Sequence, residues 1–301
     1  MNIRQMRYIL EIAKAGSVTT AANNLLISQP SLSSLLANVE RELGTQLFDR
    51  GTTPIILTYA GEKYIAAANK ILGTYHELQQ EIDDMRDDLS GRLNVGCSPQ
   101  LSPFFIPSIV PVMLERYPGA QINFTEESSK ALEVMLLNGA LDILICGGYI
   151  SHPSFERIIL LEEDLILLAP LDRVVPIVDG QRGGQKFPCA NLRELSGEPF
   201  VLMKKTQQMR QMQDRALTEN GCAPKIILET GNWQTSVRLV VTGMAYTLLP
   251  YVKTETPIYT TRLFCLERTR SRHTCLFYRK NSYYSKLLDA FIQTVKSIIA
   301  A

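Results

Sequence analysis

Histidine is scarce in this sequence: three residues in 301, at positions 76, 152 and 273. The six cysteines (97, 146, 189, 222, 265 and 275) are scattered, with no C-x-x-C among them. A zinc site draws on closely spaced His and Cys ligands, so this distribution argues against one, and no cofactor is expected. The signatures G-x-x-x-x-G-K-[ST], G-x-S-x-G, H-E-x-x-H and G-x-G-x-x-G are all missing, which speaks against the commoner catalytic classes. No apolar run approaches the roughly 20 residues of a membrane helix. The opening MNIRQMRYILEIAKAG is interrupted by charge and shows helical rather than signal-peptide patterning, so a cytoplasmic protein with reduced thiols is expected. Net charge is only +1, which does not announce a polyanion binder. A hydrophobic content of 46% against 20% charged residues excludes a largely disordered chain, and the length suits two or three domains.

What the chain does have is concentrated between Ser17 and Gly44. Ser17 suits the cap of a helix starting at Val18, with Val18, Ala21, Ala22 and Leu25 on one face. Ala21 and Ala22 let a second helix lie close across them. The chain turns at Leu26–Ile27, and Ser28-Gln29-Pro30 starts a new helix with Pro30 early, where a missing N–H is harmless. Leu32, Leu35, Leu36, Val39 and Leu43 form its inward stripe; Gln29, Ser31, Ser33, Ser34 and Asn38 point elsewhere, suited to base edges or phosphates. A first helix, Ile3 to Ala15, turns Ile3, Met6, Ile9, Leu10 and Ala13 inward in support. This is the grammar of a helix-turn-helix, although periodicity alone equally suits a helical pair within a bundle.

The wider pattern decides. AA-x-x-L-x-x-SQP-x-LS, then VE-x-ELG-x-x-LF-x-R, then LT-x-AG resembles the LysR-type transcriptional regulators, through Ala21, Ala22, Leu25, Ser28, Gln29, Pro30, Leu32, Ser33, Glu40, Leu43, Gly44, Leu47, Phe48, Arg50, Leu57, Thr58, Ala60 and Gly61. The resemblance implies a winged helix-turn-helix that binds double-stranded DNA through Thr19, Ser28, Gln29, Pro30, Ser31, Ser33, Ser34, Asn38 and Arg50. It departs from the family at Ser34, usually basic, and at Thr52, Thr53 and Pro54, usually arginine-rich. Residues 1–60 carry five basic residues against four acidic ones. So weak a charge requires several copies to pool phosphate contacts, and gives a shallow salt dependence.

From Thr58 to about Leu89, Tyr64, Ala68, Ile71, Tyr75, Leu78, Ile82, Met85 and Leu89 alternate steps of four and three. This heptad seam requires a partner, either its own domain or, as the resemblance implies, a second copy. Asp83, Asp84, Asp87 and Asp88 suit a solvated face. Past Ser90-Gly91 the pattern alternates: strands Arg92–Cys97, Gln121–Thr125, Leu141–Cys146 and Glu156–Leu161 with helices Phe104–Arg116 and Lys130–Asn138. A second unit follows, with strands Leu165–Ala169, Phe200–Leu202, Lys225–Glu229 and Tyr246–Leu249 and helices Gln207–Asn220 and Trp233–Thr242. Strands Arg262–Leu266 and Thr274–Tyr278 and a helix Ser282 to Ile299 close the chain. The stretches YPGAQINFTEE, LLNGALDILI and VVTGMAYTLLP resemble the family's α/β, two-lobed, periplasmic-binding-protein-like effector domain. The fold class is therefore an α+β two-part chain: residues 1–58 for DNA, 59–89 as linker, and 90–301 for effector binding, with lobe I 91–161 and 267–301 and lobe II 162–266.

In such units ligands sit beyond the carboxyl ends of strands, near helix N-termini. Ser98, Gln100, Ser102, Ser128, Ser129, Gly147, Lys204, Thr206, Trp233 and Gln234 are the candidates, with Lys204 or Lys205 favouring a small anion. Each serine equally suits a plain helix cap, and Trp233 a core anchor. Some members of the family sense oxidants through a cysteine pair; Cys189 and Cys222 are the pair to weigh, though their surroundings do not match. The resemblance implies a homodimer through the linker, a homotetramer, contact with RNA polymerase, and clamp closure that repositions the DNA-binding modules. The other reading is a cytoplasmic solute-binding protein whose helical head only dimerises.

Overall fold

The computed structural model describes residues 2–49, 51–52, 54–85, 89–148, 150–178, 187–251, 261–269 and 271–300. Helix α1 (Ile3–Ala15) opens on a capping box between Asn2 and Gln5 and closes at Gly16. Helix α2 (Val18–Asn24) is capped by Ser17, whose hydroxyl accepts the Thr20 N–H. Helix α3 (Gln29–Leu43) is capped by Ser28, carries Pro30 in its first turn and ends at Gly44. Between α2 and α3, Leu26 stands at φ 55° with 92% of its surface exposed. A leucine there costs backbone energy without repaying it in burial, so the turn is imposed by the two helices it joins.

These helices enclose a core of Met6, Ile9, Ile12, Ala21, Ala22, Leu32, Leu36 and Val39, joined by Leu47, Phe48, Tyr64 and Ala68. Two expectations are corrected here. Ile12, not expected inside, is fully buried, while Leu10 and Ala13 pack half-buried against the core as expected and Ile3 is half-buried. Leu43 is 44% exposed, while Glu40 is buried and its carboxylate accepts the Leu47 N–H at 2.9 Å. The chain reverses at Gly44, and the returning amide needs an acceptor inside the core. The wing is a two-residue pair, β1 (Phe48–Asp49) with β2 (Ile56–Leu57). The Ile55 N–H is taken instead by the Gly16 carbonyl.

Helix α4 (Tyr59–Asp84) is capped by Thr58 and ends five residues before Leu89. The stop coincides with a tether: the Asp84 carboxylate accepts the Lys286 N–H at 2.8 Å and the Tyr283 hydroxyl at 3.1 Å. Asp87 and Asp88 lie outside the described residues. The heptad seam divides along its length. Tyr64 and Ala68 are buried in the head, whereas Ile71, Tyr75, Leu78, Ile82 and Met85 are exposed.

The second part is built on two sheets. The first comprises β3 (Gly91–Cys97), β4 (Ala120–Glu126), β5 (Ile143–Gly147), β6 (Phe155–Glu163) and β13 (Arg272–Arg279), in the order β4-β3-β5-β13-β6. Helices α5 (Ser102–Arg116), α6 (Ser129–Leu137) and α9 (Lys286–Ala300) belong with it. The second holds β7 (Leu165–Ala169), β8 (Cys189–Ala190), β11 (Thr247–Pro250) and β12 (Arg262–Leu266), in the order β11-β7-β12-β8. Strands β9 (Pro199–Met203) and β10 (Lys225–Thr230) pair in parallel and attach through a bridge from Phe200 to Tyr246. Helices α7 (Gln208–Glu219) and α8 (Trp233–Val241) complete it. The chain crosses between sheets after β6 and after β12, the two crossings expected. Strand β6 continues past Leu161 to Glu163, because Glu162 and Glu163 still pair with His273 and Arg272 of β13. Strand β8 had not been expected; two residues carry no legible period.

Helix α4 is fastened to the first sheet. His76 Nε2 lies 3.1 Å from the Asp142 carboxylate, which also accepts the Asn94 N–H at 2.7 Å. Gln80 donates to the Arg92 carbonyl at 3.3 Å, and Arg279 donates to Glu77 at 3.0 Å. One rigid element thus touches the head at its first turns and the first sheet at its last.

Candidate functional site

Two regions qualify. The first is the N-terminal half of α3. Leu32 and Leu36 anchor it in the core with Leu35 packed beside them, so Ser33 and Ser34 turn outward. Thr19, Ser28, Gln29, Pro30, Ser31, Ser34 and Asn38 are exposed, and Ser33 is half-exposed. They are pre-arranged among themselves: Gln29 Nε2 donates to Ser33 Oγ at 2.8 Å, the Ser28 and Ser31 hydroxyls lie 2.7 Å apart, and Arg41 donates to Asn38 at 3.1 Å. A Gln amide held this way presents a donor and an acceptor together, the pairing suited to an adenine edge. Arg50 lies outside the described residues.

The second region is a cavity of about 660 Å³ between the two sheets. Of the expected residues, Ser98, Gln100, Ser128, Ser129, Gly147, Thr206 and Trp233 line it. Three others do not. Ser102 is buried in the first turn of α5, where its hydroxyl donates to the Ser98 carbonyl at 3.2 Å. Lys204 and Gln234 are exposed and absent from the lining, as neighbours of the inward Met203 and Trp233 in extended or helix-start backbone point the other way. Ser128 both lines the cavity and caps α6, accepting the Ala131 N–H at 3.3 Å. The two roles offered for the serines are thus compatible at this position.

The loop after β9 is held from inside. Gln213 accepts the Met203 N–H at 2.8 Å and donates to the Leu248 carbonyl at 2.8 Å. Arg210 donates to the Met203 carbonyl at 2.9 Å and to Glu229 at 2.6 Å, a contact that holds the Glu229 carboxyl below its usual range. These buried bonds place Thr206 and Gln207 at the cavity wall. The Gln207 side chain donates to the Gly231 carbonyl at 2.8 Å, while its amide oxygen Oε1 is buried without a partner.

The cavity's lining holds two cationic side chains, the exposed Lys130 and the buried Arg272, neither of which the sequence had singled out; Lys204 and Lys205 had been offered for that part, and Arg272 is the one enclosed by the site. Its side chain is 9% exposed, its Nε donates to Glu163 at 3.2 Å, and one terminal nitrogen is buried and unpartnered. Glu163 also accepts the Thr274 hydroxyl at 2.6 Å, and its other oxygen is buried without a partner. The guanidinium lies 6.0 Å from the Trp233 ring centroid, so Trp233 is at once a buried anchor and part of the wall. It needs bare backbone beside it: a Cβ at Gly147 would come within 2.6 Å of it. Met203, Met209 and Leu101 add apolar surface. Orphaned polar groups around an apolar patch are the makings of a site for a small polar ligand.

The six cysteines are thiols rather than disulfides. Burial pushes Cys97 and Cys146 up to about 12 and Cys222 up to about 11, and raises Cys275 as well. Among the described residues no three His, Cys, Asp or Glu side chains converge as metal ligands, and no helix is long and apolar enough to cross a membrane.

Residues 3–62 match the family model of the bacterial regulatory helix-turn-helix protein, lysR family, and residues 86–299 match the LysR substrate binding domain. The chain is 26% identical to the HTH-type transcriptional regulator YcgK of Bacillus subtilis (strain 168), over 97% of this chain and 93% of that one. It is 29% identical to a probable hydrogen peroxide-inducible genes activator of Streptomyces viridosporus, over 87% of this chain and 80% of that one. Its fold is similar to full-length CbnR solved with its target DNA, with a TM-score of 0.65, 21% identity, and coverage of 99% of this chain and 100% of that one.

Proposed function

The chain belongs to the LysR family of transcriptional regulators, and on that premise we propose which parts read DNA, which bind the effector, and how the two are linked. It is a DNA-binding regulator with an effector-binding domain. Residues 1–58 contact duplex DNA, with α3 in the major groove and Gln29, Ser33 and Asn38 toward base edges. Ser28, Ser31, Ser34, Thr19 and Arg50 serve the backbone. Residues 59–89 link and pair two copies, and 90–301 sense a small molecule, with lobe I running to Glu163. The exposed half of the heptad seam supports the pairing.

The effector is a small organic anion held by Arg272, with Ser98, Gln100, Ser128, Ser129 and Thr206 supplying hydrogen bonds. It needs no cofactor and undergoes no reaction, and the protein works in the cytoplasm. A peroxide-sensing thiol acts as its thiolate, and burial drives Cys97, Cys146, Cys222 and Cys275 away from that form, which disfavours these four as peroxide sensors.

The observation that carries this reading is α4, capped against the head at Thr58 and tied to the first sheet through His76, Gln80 and Asp84. A ligand that favours one setting of the sheets changes the spacing of paired heads through this lever, provided it binds the two settings unequally. Footprinting on the gene's own upstream region tests it. Wild-type protein is expected to protect a site, and the double variant Gln29→Ala with Ser33→Ala to lose protection while melting at the same temperature. Protection by the variant would remove α3 from the reading role. Thermal-shift screening of organic acids, with Trp233 fluorescence as a second readout, identifies the effector.

A further inference from the structure

A second cavity, of about 400 Å³, lies beside the cleft and shares Gly147, Gln208, Met209 and Arg272 with it. Its remaining wall carries two more guanidinium groups, Arg157 from β6 and Arg215 from α7, with the polar side chains of Gln211, Ser271 and His273 beside them. None of its lining residues is a carboxylate. The acids in the neighbourhood engage these groups from outside. Glu219 accepts from Arg215 Nε at 2.8 Å, Glu163 accepts from Arg272 Nε at 3.2 Å, and Glu162 lies 3.8 Å from His273 Nε2. The terminal nitrogen of Arg272 nevertheless remains buried and unpartnered, on a side chain more than nine-tenths buried. A cationic N–H deprived of both water and an acceptor is costly, and an anion in either cavity would relieve it.

We propose that this recess is a second binding site, for a phosphate group, either orthophosphate or the phosphate of a small monoester. Three features favour phosphate. Guanidinium forks match tetrahedral oxyanions with paired donors, and three of them converge here from separate elements. Gly147 supplies bare backbone beside Arg272, where a side chain would fill the space. The volume exceeds that of one phosphate and leaves room for a short organic tail on the apolar flank of Met209 and Met212. The recess is walled by β5, β6 and β13 of one sheet and by α7, which packs on the other. Its occupant therefore bears on the setting of the sheets, and it shares Arg272 with whatever fills the larger cleft.

Arg157 and Arg215 are exposed side chains, so they can be changed without opening the core. The test is isothermal titration of the full chain with orthophosphate and with glycerol 3-phosphate, in a phosphate-free buffer. One saturable site per chain is expected, weakened by about tenfold or more in Arg157→Gln and in Arg215→Gln, since each removes a charge-assisted pair. Arg215→Lys is expected to recover part of the affinity. Thr206→Ala, which alters only the larger cleft, is expected to leave phosphate affinity unchanged. Tighter binding of the ester identifies a tailed ligand and equal binding the bare oxyanion; both support the site. No saturable binding of either compound overturns the proposal. So does binding that survives Arg215→Gln and is lost in Thr206→Ala, which would place the anion in the cleft. Organic-acid binding that depends on Thr206 is a separate readout, so failure here leaves the cleft assignment standing.

Discussion

The two sites keep their polar groups in opposite states. At the start of α3 the polar side chains face water and most are already engaged, Ser28 with Ser31, Gln29 with Ser33 and Asn38 with Arg41. In the cleft, Arg272, Glu163 and Gln207 each keep a buried atom with no partner. The reading face is complete without its ligand, and DNA must exchange hydrogen bonds that water and neighbouring side chains already satisfy. The cleft is incomplete without its ligand, because groups removed from water have nothing to replace it. A surface that discriminates among many DNA sequences gains from low standing affinity. A switch gains from a site whose empty state is strained.

The contrast can be broken most forcefully at Arg272. Arg272→Ala leaves the Glu163 carboxylate buried without its cation, and is expected to destabilise the effector part by about 3–5 kcal/mol. Adding Glu163→Gln should recover much of that loss; if chemical denaturation shows no recovery, the pair is not the source. The head has its own weak point at Gly61, where a Cβ would meet the Leu47 carbonyl oxygen at 2.0 Å. Gly61→Ala is expected to cost about 3 kcal/mol and to abolish DNA binding, while organic-acid binding to the cleft persists. Loss of both functions together would show that head and clamp do not fold separately.

Salt dependence sharpens the view of the reading face as weakly charged. With five basic residues in 1–60, a plot of log affinity against log salt should show no more than about five ions released per head. A steeper slope would mean that basic residues beyond residue 60 reach the DNA. The last effect is alkaline and needs the most extreme conditions to appear. Every cysteine lies past residue 96, so thiol ionisation concerns the effector part alone. In the folded chain Cys97 and Cys146 stay protonated up to about 12, against an ordinary value of 9.0. Unfolded thiols lose their protons first, so on their account stability is constant below pH 9 and falls as pH rises from 9 toward 12. Melting curves across that range should move the effector transition and leave the head's in place.

Legibility followed the same divide. Ser17 caps its helix and Ser28 starts the next as read, because a cap is a relation between residues three apart. Exposure of Gln29, Ser31 and Ser34 followed from the period of Leu32, Leu36 and Val39. The cleft was legible only as far as strand ends go: Ser98, Ser128, Gly147 and Thr206 follow strands or start helices. At Lys204 and Gln234 the right loops were chosen and the wrong neighbours, since one residue of offset reverses a side chain's direction. Arg272 had no local mark. It matters because β13 returns more than a hundred residues later to lie beside β6, which sets its guanidinium against Glu163 and Gly147.

By itself, the sequence determined the helical head, its caps, the heptad stripe of α4 and the alternation of strands and helices beyond residue 90. Each depends on contacts within a few turns of chain, and periodicity records those directly. Only the tertiary structure decided which cation faces the cleft, which polar atoms are left without partners, and that a second basic recess adjoins the first. Those are consequences of segments far apart in the chain being buried together, where the energy of one side chain depends on what a distant strand places beside it.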